Sequence, residues 1–577
     1  MQERRSDLPG MALASCSVLF YSIAVTRLLS VVLWYHFAFL SISVAMLGLG
    51  AAGAWRALWQ ASERSLARAW LAAGIAIPLS VLVILRVSWL PAIVLALLAP
   101  MFALGVALST LLARASPGRI GVLYAADLLG STLGAALVLP VLRWVPTPHA
   151  LCCLGVLPLL ALAVSGGWRR PAWIAGCAGI ALLVVWGAPL AVQRSKLYAE
   201  QGATAPIFER WTESARITVF ERPIFSPEPD VPWGWGYGDR FEPRAWQERW
   251  IDQDGSAGTP VERLRNDPRE LGHLFFDVTS AGYSILHPER VCVIGAGGGR
   301  DIVTALAAGA RQVDAVELNR GIYELMTGPL AEFSGSIYSR PGVRTVVSEG
   351  RSFLTQTEQR YDLLQISLVD SWAATAAGAF ALSENYLYTV EAMQLYLSRL
   401  RPGGVVSISR WTDRVQPFEA ARLILLAEEA LRRNGASSPR DHLLLLRGSS
   451  IGTLLIGERP FDAGLRARAE TVAAQYGFTR SWPPSGPPTI VAVAMSDGGE
   501  SFTRAGLDLT PPVDDRPFFF QAQRVFQTSL DVEQAAPSDV NLQGVTLLRQ
   551  LVIGLAVLAL ALFLAPLVLF GREARGP

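Results

Sequence analysis

VCVIGAGGGRD, residues 291–301, joins a short apolar run to the start of an amphipathic one through a glycine-rich loop. This order is typical of a buried strand, a tight turn and a helix. Gly295, Gly297 and Gly299 allow the backbone to come close to a ligand, and the free N–H groups of a helix N-terminus attract polar groups. The stretch therefore predicts a loop that binds a nucleotide or nucleoside.

The alternation of strand-like and helix-like segments continues beyond this loop. The segments are VCVIG, DIVTALAAGA, VDAVEL, RTVVSE, YDLLQISL, VEAMQLYLSRL and GVVSISR. Such alternation predicts βαβ units and a parallel sheet with helices on both faces. We expect an α/β Rossmann-like, doubly wound domain over residues 289–540, and a small β-rich, Trp-rich subdomain over residues 193–288.

Acidic residues follow the predicted strands, at the edge where doubly wound sheets bind ligands. Glu317 ends the second strand, 22 residues after Gly295, and is placed to accept hydrogen bonds from ribose hydroxyls. A dinucleotide loop would need glycine at position 300, where the chain has Arg300, so the spacing suits an S-adenosyl compound better. Glu349 ends the third strand, either near an adenine amino group or simply in solvent, and Asp370 follows the fourth.

The remainder of the chain has the composition of a membrane protein. Of 577 residues, 51% are hydrophobic, and the mean hydropathy is +0.34. A membrane-spanning helix needs about 20 mostly apolar residues. Eight segments of this kind lie near residues 11–32, 34–54, 70–86, 91–112, 120–141, 149–166, 172–192 and 549–571. We expect a seven-helix transmembrane domain over residues 1–192, and a C-terminal transmembrane helix and tail over residues 541–577.

Polar and small residues interrupt two of these segments. Asp127 lies beside Gly130 and Gly134 in the fifth, and Arg27 lies in the first. The small-xxx-small spacing allows two helices to approach closely. We interpret the pattern as helix packing with a buried pair of an arginine and a carboxylate, and the alternative is a transport or ligand site.

The distribution of arginines and the origin of an S-adenosyl donor favour opposite sides of the membrane for the α/β domain. The termini and loops that would lie on one side of the membrane hold eleven arginines, and the loops on the other side hold two. The eleven are Arg4, Arg5, Arg56, Arg64, Arg68, Arg114, Arg119, Arg169, Arg170, Arg572 and Arg575. The two are Arg86 and Arg143. The positive-inside rule then places both termini in the cytoplasm and residues 193–548 outside it. An S-adenosyl donor is made in the cytosol, which favours the opposite side, and one missed or re-entrant segment would reverse the count.

Charge and cysteine usage exclude other classes. The net charge is +2 and Lys196 is the only lysine, so nucleic acid is not an expected partner. The five cysteines lie in apolar runs without C-x-x-C spacing or a neighbouring histidine cluster, so no metal is expected.

The motifs also resemble a known family. IGAGGGRD, AVELN, SEGRSFL, YDLLQISLVDS and LRPGGVVSIS are similar to the class I methyltransferase-type fold and, in particular, to the spermidine synthase (polyamine aminopropyltransferase) family. The N-terminal segments, with GAFALSENYLYTVEA and VDDRPFFF, resemble bacterial membrane proteins that fuse transporter-like helices to a spermidine synthase-like domain. The resemblance implies aminopropyl transfer from decarboxylated S-adenosylmethionine to a polyamine, a location in the bacterial inner membrane, and a homodimer.

The resemblance also assigns roles to individual residues. It implies that Glu317 binds the ribose, and that Glu349 and Gly350 lie on the adenine side. Asp254, in the upstream D-G element, and Asp277 match acids that bind the amine substrate.

Two family acids are replaced in this chain. The family's loop G-G-G-D-G has its acid where the chain has Gly298, and its motif D-S-S-D-P places Ser367 on the first acid and Asp370 on the second. Because a serine hydroxyl is a poor base for an ammonium group, we expect either that Asp370 serves as the catalytic carboxylate beside Ser367 or that another group takes over this role. Asp301 is expected either to supply the lost charge to the donor or to cap its helix.

Two alternatives to aminopropyl transfer follow from these replacements. An S-adenosylmethionine-dependent methyltransferase tolerates the lost acids, because methyl transfer depends chiefly on donor binding and alignment. A transporter or sensor with a non-catalytic nucleoside-binding module is the second alternative, and Asp127 and Arg27 favour it.

Overall fold

The computed structural model describes residues 7–33, 38–56, 62–165, 170–192, 205–213, 215–222, 231–255, 257–369, 385–412, 417–483, 500, 508–521 and 540–570. The chain divides into two compact units. The first comprises residues 1–203, 210–216 and 548–577, and the second comprises residues 204–209 and 217–547.

The first unit is helical, as predicted. Its helices are α1 (Asp7–Val32), α2 (Ala38–Arg56), α3 (Glu63–Arg86), α4 (Leu90–Arg114), α5 (Ile120–Trp144), α6 (Thr147–Leu154), α7 (Val156–Val164), α8 (Arg170–Trp186) and the C-terminal helix Val540–Phe570. A helix lies on each of the eight predicted segments. By length and composition, five are suited to crossing a membrane, with α6 and α7 counted together as one; the other three, Leu40–Arg56, Ala172–Trp186 and Arg549–Leu564, are shorter apolar helices.

Helices α1 and α5 pack closely through glycines. A Cβ atom on Gly130 would lie 2.2 Å from the carbonyl oxygen of Ala12, and one on Gly134 would lie 2.5 Å from that of Cys16. Asp127 on α5 accepts a hydrogen bond from Ser15 on α1. Nη1 of Arg27 donates to Oγ of Ser30, one turn further along α1, at 2.6 Å. The small-xxx-small stretch therefore forms a helix interface.

Replacing Gly130 with valine should separate these two helices. The added side chain meets the backbone of α1, which has no flexible atom to move aside, so we expect a loss of about 1–3 kcal/mol. Thermal unfolding of the purified chain in detergent measures the effect. Gly121→Val, on the same helix but with no atom within 4 Å of its Cβ position, is the matched control. Equal melting temperatures for the two variants would contradict this packing.

A four-stranded sheet precedes the α/β elements in the chain. Its strands are β1 (Phe208–Trp211), β2 (Arg216–Phe220), β3 (Glu248–Gln253) and β4 (Ala257–Glu262), in that order across the sheet. β3 pairs antiparallel with both β2 and β4. The turn between β3 and β4 begins with Asp254 and Gly255, at φ values of 55° and 72°. Aspartate and glycine tolerate this left-handed backbone better than other residues do.

The second sheet has eight strands. They are β5 (Arg290–Ile294), β6 (Gln312–Glu317), β7 (Val343–Val347), β8 (Tyr361–Ser367), β9 (Leu400–Trp411), β10 (Leu443–Arg447), β11 (Ile451–Gly457) and β12 (Thr479–Trp482). Their order is β12-β10-β11-β9-β8-β5-β6-β7. The five strands from β9 to β7 are parallel, whereas the pairs β9–β11, β11–β10 and β10–β12 are antiparallel. The predicted Rossmann-like fold is confirmed.

Helices of the second unit flank this sheet. They are α9 (Ala281–Leu286), α10 (Arg300–Ala307), α11 (Arg320–Thr327), α12 (Gly350–Gln356), α13 (Val390–Ser398), α14 (Pro417–Arg433) and α15 (Ala463–Tyr476). Strand β5 lies between β6 and β8. The strands that follow it in sequence, β6 and β7, lie on one side of it, and the next two, β8 and β9, lie on the other, so the strand order reverses at β5. A crevice forms at such a reversal, outside the carboxyl ends of the strands.

Candidate functional site

A cleft of about 240 Å³ opens at this reversal, over the carboxyl ends of β5, β6 and β8. Seven of the predicted site residues line it: Gly295, Gly297, Asp301, Glu317, Glu349, Gly350 and Ser367. Three more that the structure describes, Gly299, Asp254 and Asp277, do not line it. Asp370 lies outside the described residues, so its catalytic role remains a prediction from sequence.

The glycine loop has the backbone that its sequence predicts. Gly295, Gly297 and Gly299 have φ values of 80°, 50° and 85°, a region that side chains with a Cβ rarely adopt. A Cβ on Gly295 would also lie 2.9 Å from Val369, and one on Gly299 would lie 2.7 Å from Ile337. Gly299 therefore shapes the loop from outside the cleft, while the other two line the cleft.

Glu317 closes the loop from the next strand. Its Oε2 accepts from the N–H of Gly297 at 2.8 Å, and its Oε1 accepts from the N–H of Asn319 at 2.7 Å. Burial raises the pKa of Glu317, while these backbone hydrogen bonds oppose the shift. A carboxylate oxygen has a second lone pair, so both oxygens can still accept from a ribose hydroxyl. Oε1 of Gln253 accepts from the Asn319 side chain at 2.5 Å, which links this corner to β3.

Glu349 has a local structural partner as well as a place in the cleft. Its two oxygens accept from the N–H groups of Arg351 and Ser352, at 2.9 and 2.8 Å, so it caps the N-terminus of α12. The sequence predicted either an adenine contact or a solvated acid for Glu349, and neither prediction anticipated this helix cap. A Cβ on Gly350 would lie 2.7 Å from Ile294, so this glycine keeps α12 close to β5.

Strand β4 covers the position of the missing loop acid. The N–H of Gly298 donates to Oγ1 of Thr259 at 3.1 Å. A Cβ on Gly298 would lie 1.9 Å from the carbonyl oxygen of Pro260. No side chain fits at position 298 while β4 keeps this place, so Gly298 belongs to the packing of the loop.

We expect Gly298→Ala to destabilise the chain and to weaken donor binding. The methyl group meets a backbone oxygen, and such overpacking costs about 1–3 kcal/mol. Gly298→Asp, which restores the family acid, meets the same obstacle and should lose stability without gaining activity. Melting temperature and calorimetric titration with methylthioadenosine test both. Gly272→Ala is the control, because its Cβ position has no atom within 4 Å; a variant at 298 as stable as this control would show that β4 moves freely.

Asp301 and Ser367 both line the cleft, and their side chains are hydrogen-bond partners. Nε2 of Gln365 donates to Oγ of Ser367 at 2.7 Å, which leaves the serine proton free to donate to Asp301. Burial raises the pKa of Asp301 to about 7, and the hydrogen bond from Ser367 and the charge of Arg300 oppose the shift. Asp301 is therefore a carboxyl group that exchanges its proton near neutral pH, next to the position of the missing strand acid.

Asp277 and Asp254 lie outside the cleft lining. Asp277 is fully buried and accepts four hydrogen bonds, from the N–H groups of Trp235, Gly236 and Thr279 and from the Thr279 hydroxyl, at 2.7–3.3 Å. Asp254 is buried at the β3–β4 turn. The amine-binding roles that the family resemblance implies for both acids remain predictions.

The sequence interpretation missed several residues that line the cleft. Trp235 forms one wall, and its ring packs against those of Trp233 and Trp411 at centroid distances of 6.0 and 6.4 Å. Leu368, directly after β8, has a φ of 48°, a strained value for leucine. Arg300 also lines the cleft and is buried. The enrichment of tryptophan before residue 288 could have indicated that Trp235 lines a binding site. No local sequence pattern distinguishes Leu368.

Comparisons with known proteins agree with the family resemblance. The chain is 25% identical over 154 residues to a polyamine aminopropyltransferase of Korarchaeum cryptofilum, a match that covers 27% of this chain and 45% of the relative. It is 32% identical over 122 residues to polyamine aminopropyltransferase 2 of Pseudomonas aeruginosa, which covers 21% and 33%. The chain thus spans less than half the length of these curated relatives.

Among solved structures, spermidine synthase from Thermotoga maritima is 16% identical, with a TM-score of 0.30 and coverage of 44% of this chain and 74% of that one. No family model matches the chain. With matches to curated polyamine aminopropyltransferases and a Rossmann-like sheet that carries the glycine loop, the protein is spermidine synthase-like.

Proposed function

We propose that the α/β fold of the second unit catalyses transfer of an aminopropyl group from decarboxylated S-adenosylmethionine to an amine, most simply a polyamine. The glycine loop and Glu317 support binding of the adenosyl part, and the names of the curated relatives support the reaction. One observation carries the proposal: the carboxyl group of Asp301 lies in the cleft beside Ser367, where the family's acid is missing.

The reaction needs a proton acceptor. A free alkylamine has a pKa of about 10 and is protonated at neutral pH, so it cannot attack until it loses a proton. An ordinary carboxylate is a weak acceptor, and raising its pKa toward the operating pH improves the transfer. Burial raises the pKa of Asp301 to about 7. Asp301 is thus better suited than Ser367 to accept the proton.

The proposed reaction is a nucleophilic substitution at the donor carbon next to sulfur. The amine nitrogen attacks the donor carbon next to the sulfonium sulfur, and a C–N bond forms as the C–S bond breaks. The electron pair returns to sulfur, which leaves as the neutral thioether of methylthioadenosine. The proton lost by the amine passes to Asp301. Trp235 and residues 257–259 of β4 line the cleft in which this transfer would take place.

Calorimetry and product analysis of the full chain in detergent test the proposal. Decarboxylated S-adenosylmethionine and methylthioadenosine should bind, and incubation of the former with putrescine should release methylthioadenosine. Release of S-adenosylhomocysteine from S-adenosylmethionine would instead identify a methyltransferase. Absence of binding by the donor, S-adenosylmethionine and methylthioadenosine would rule out a transferase and favour a transporter or sensor.

We further propose that the first unit lies in a bacterial inner membrane with the α/β fold on the cytosolic side. Five helices are long and apolar enough to cross a bilayer, and the donor is made in the cytosol. Reporter fusions after residues 200 and 545 test this placement. A reporter active only in the cytosol should work at both positions; activity of an export-only reporter at both would contradict a cytosolic enzyme.

A further inference from the structure

Three side chains with metal-binding atoms converge beside Arg300, which lines the cleft. Glu248 on β3 and Glu262 on β4 are direct cross-strand partners, and His273 comes from the 3₁₀ helix Pro268–Phe276. One ligand atom from each lies within 4.8 Å of the other two. We call Glu248, Glu262 and His273 the Glu-Glu-His cluster.

Hydrogen bonds leave most of the cluster unsatisfied. Oε2 of Glu248 accepts from the N–H of Trp233 at 2.7 Å. The other oxygen of Glu248, both oxygens of Glu262 and Nε2 of His273 are buried and, within the described part of the chain, have no hydrogen-bond partner. Glu248 and Glu262 are only 5% and 3% exposed. A buried acceptor without a donor is costly, so the cluster has capacity for a cation.

The approach of His273 to Glu262 is longer than a charged hydrogen bond. Nε2 of His273 lies 3.5 Å from Oε2 of Glu262. A charged N–H···O hydrogen bond is about 2.7–2.9 Å long. Two ligands of one tetrahedral zinc ion, each about 2.0–2.1 Å from the metal, lie about 3.4 Å apart. The spacing therefore leaves room for a metal ion bound to both atoms.

The buried charges around the cluster also leave negative charge that Arg300 alone does not balance. Arg300 is the neighbouring guanidinium, with Nε at 3.7 Å from Glu262 and Nη1 at 4.0 Å from Asp277. Three buried carboxyl groups, those of Glu248, Glu262 and Asp277, thus surround one guanidinium. Buried charges are stable only when they are compensated. Either a divalent ion balances the two glutamates, or one of them holds a proton.

We propose that Glu248, Glu262 and His273 bind a divalent transition-metal ion, for which zinc is the best match. Imidazole nitrogen with carboxylate oxygens is a ligand set that zinc accepts, whereas magnesium and calcium prefer oxygen alone. The three ligands are 14 and 11 residues apart in sequence, without the short spacing of a recognised zinc motif, so only the fold brings them together.

The metal would act on the cleft through β4. Glu262 ends this strand, and Thr259 and Pro260 on the same strand cover the glycine loop at Gly298. The other oxygen of Glu262 faces Arg300, which lines the cleft. A bound ion therefore positions β4 over the donor loop, and no step of group transfer passes through it.

Metal analysis of the untagged full chain in detergent tests the proposal. After loading with Zn²⁺ and dialysis against metal-free buffer, the wild-type chain should retain about one zinc ion, and added Zn²⁺ should raise its melting temperature. Glu262→Gln and His273→Ala should lose both effects. His287→Asn is the control, because His287 is exposed and has a φ of 48°, which asparagine tolerates.

Glu248→Gln separates the metal from a shared proton. Without a metal, one of these two adjacent buried glutamates, Glu248 and Glu262, would hold a proton. An amide mimics a protonated carboxyl group, so a proton-sharing pair would tolerate this substitution. The metal site predicts instead that zinc retention falls to the level of His273→Ala. Zinc at the buffer level in the wild-type chain, or equal zinc in wild type and His273→Ala, would overturn the proposal.

Discussion

Replacing Asp301 with asparagine is expected to slow group transfer about 100- to 10,000-fold, the range that follows loss of a general base. Asparagine keeps the size of the side chain and can still accept a hydrogen bond from Ser367, but it cannot take a proton. The measurement is the single-turnover rate of methylthioadenosine release at saturating donor and amine. Donor affinity should change little, since the base acts on the acceptor. A rate within threefold of wild type would exclude Asp301 as the proton acceptor.

The pH dependence distinguishes a base from a residue that only packs. Because burial raises the pKa of Asp301 to about 7, the wild-type rate should rise as the pH passes this value. Asp301→Asn should lack this rise. Ser367→Ala removes a hydrogen bond that lowers the pKa of Asp301, so the rise should move to higher pH. A rise that stays at the same pH in Ser367→Ala would show that another group is titrating.

Stability should depend on pH in the opposite sense to activity. The pKa of Asp301 is higher in the folded chain than its ordinary value of 3.8, so the folded state favours the proton. The stability contributed by this group is complete below its ordinary pKa and is lost as the pH rises through about 7. Since asparagine does not ionise, the melting temperature of Asp301→Asn relative to wild type should increase between about pH 4 and about pH 8.

Glu317→Gln is expected to weaken binding of methylthioadenosine about 10- to 100-fold. The carboxylate accepts from the N–H groups of Gly297 and Asn319, and hydrogen bonds to a charged group contribute about 1.5–3 kcal/mol. The NH₂ group of glutamine cannot accept, so one of these donors loses its partner and the glycine loop loosens. Calorimetric titration measures the affinity with a ligand that has no charge of its own.

Glu324→Gln is the matched control for this substitution. Glu324 lies on α11, directly after the Glu317 corner, and forms an exposed ion pair with Arg320 at 3.0 Å. Exposed pairs of this kind contribute little, so neither affinity nor melting temperature should change appreciably. Equal affinities for Glu317→Gln and the control would show that the ribose is bound elsewhere, and would contradict the role assigned from sequence.

Much of the proposed donor-binding part of the cleft could be predicted, because the sequence patterns that mark it are local. The loop with Gly295 and Gly297 follows a buried strand directly, and Glu317 ends the next strand, so strand alternation alone places them at one edge of a sheet. The acceptor side depends on contacts distant in sequence. Ser367 on β8 meets Asp301 on α10, and sequence analysis assigned Asp301 only to the donor or to its helix cap.

Sequence by itself determined the elements: apolar runs long enough for helices in a bilayer, short strands in βαβ order, and a glycine loop that requires positive φ. These follow from backbone hydrogen bonding and side-chain periodicity within each segment. Tertiary structure alone decided which polar groups remain available. It covers Gly298 with Pro260, surrounds Asp277 with four donors and places Asp301 beside Ser367. The reason is physical, because burial and hydrogen-bond partners come from segments far apart in the chain, and these determine whether a carboxyl group stabilises the fold or remains free for chemistry.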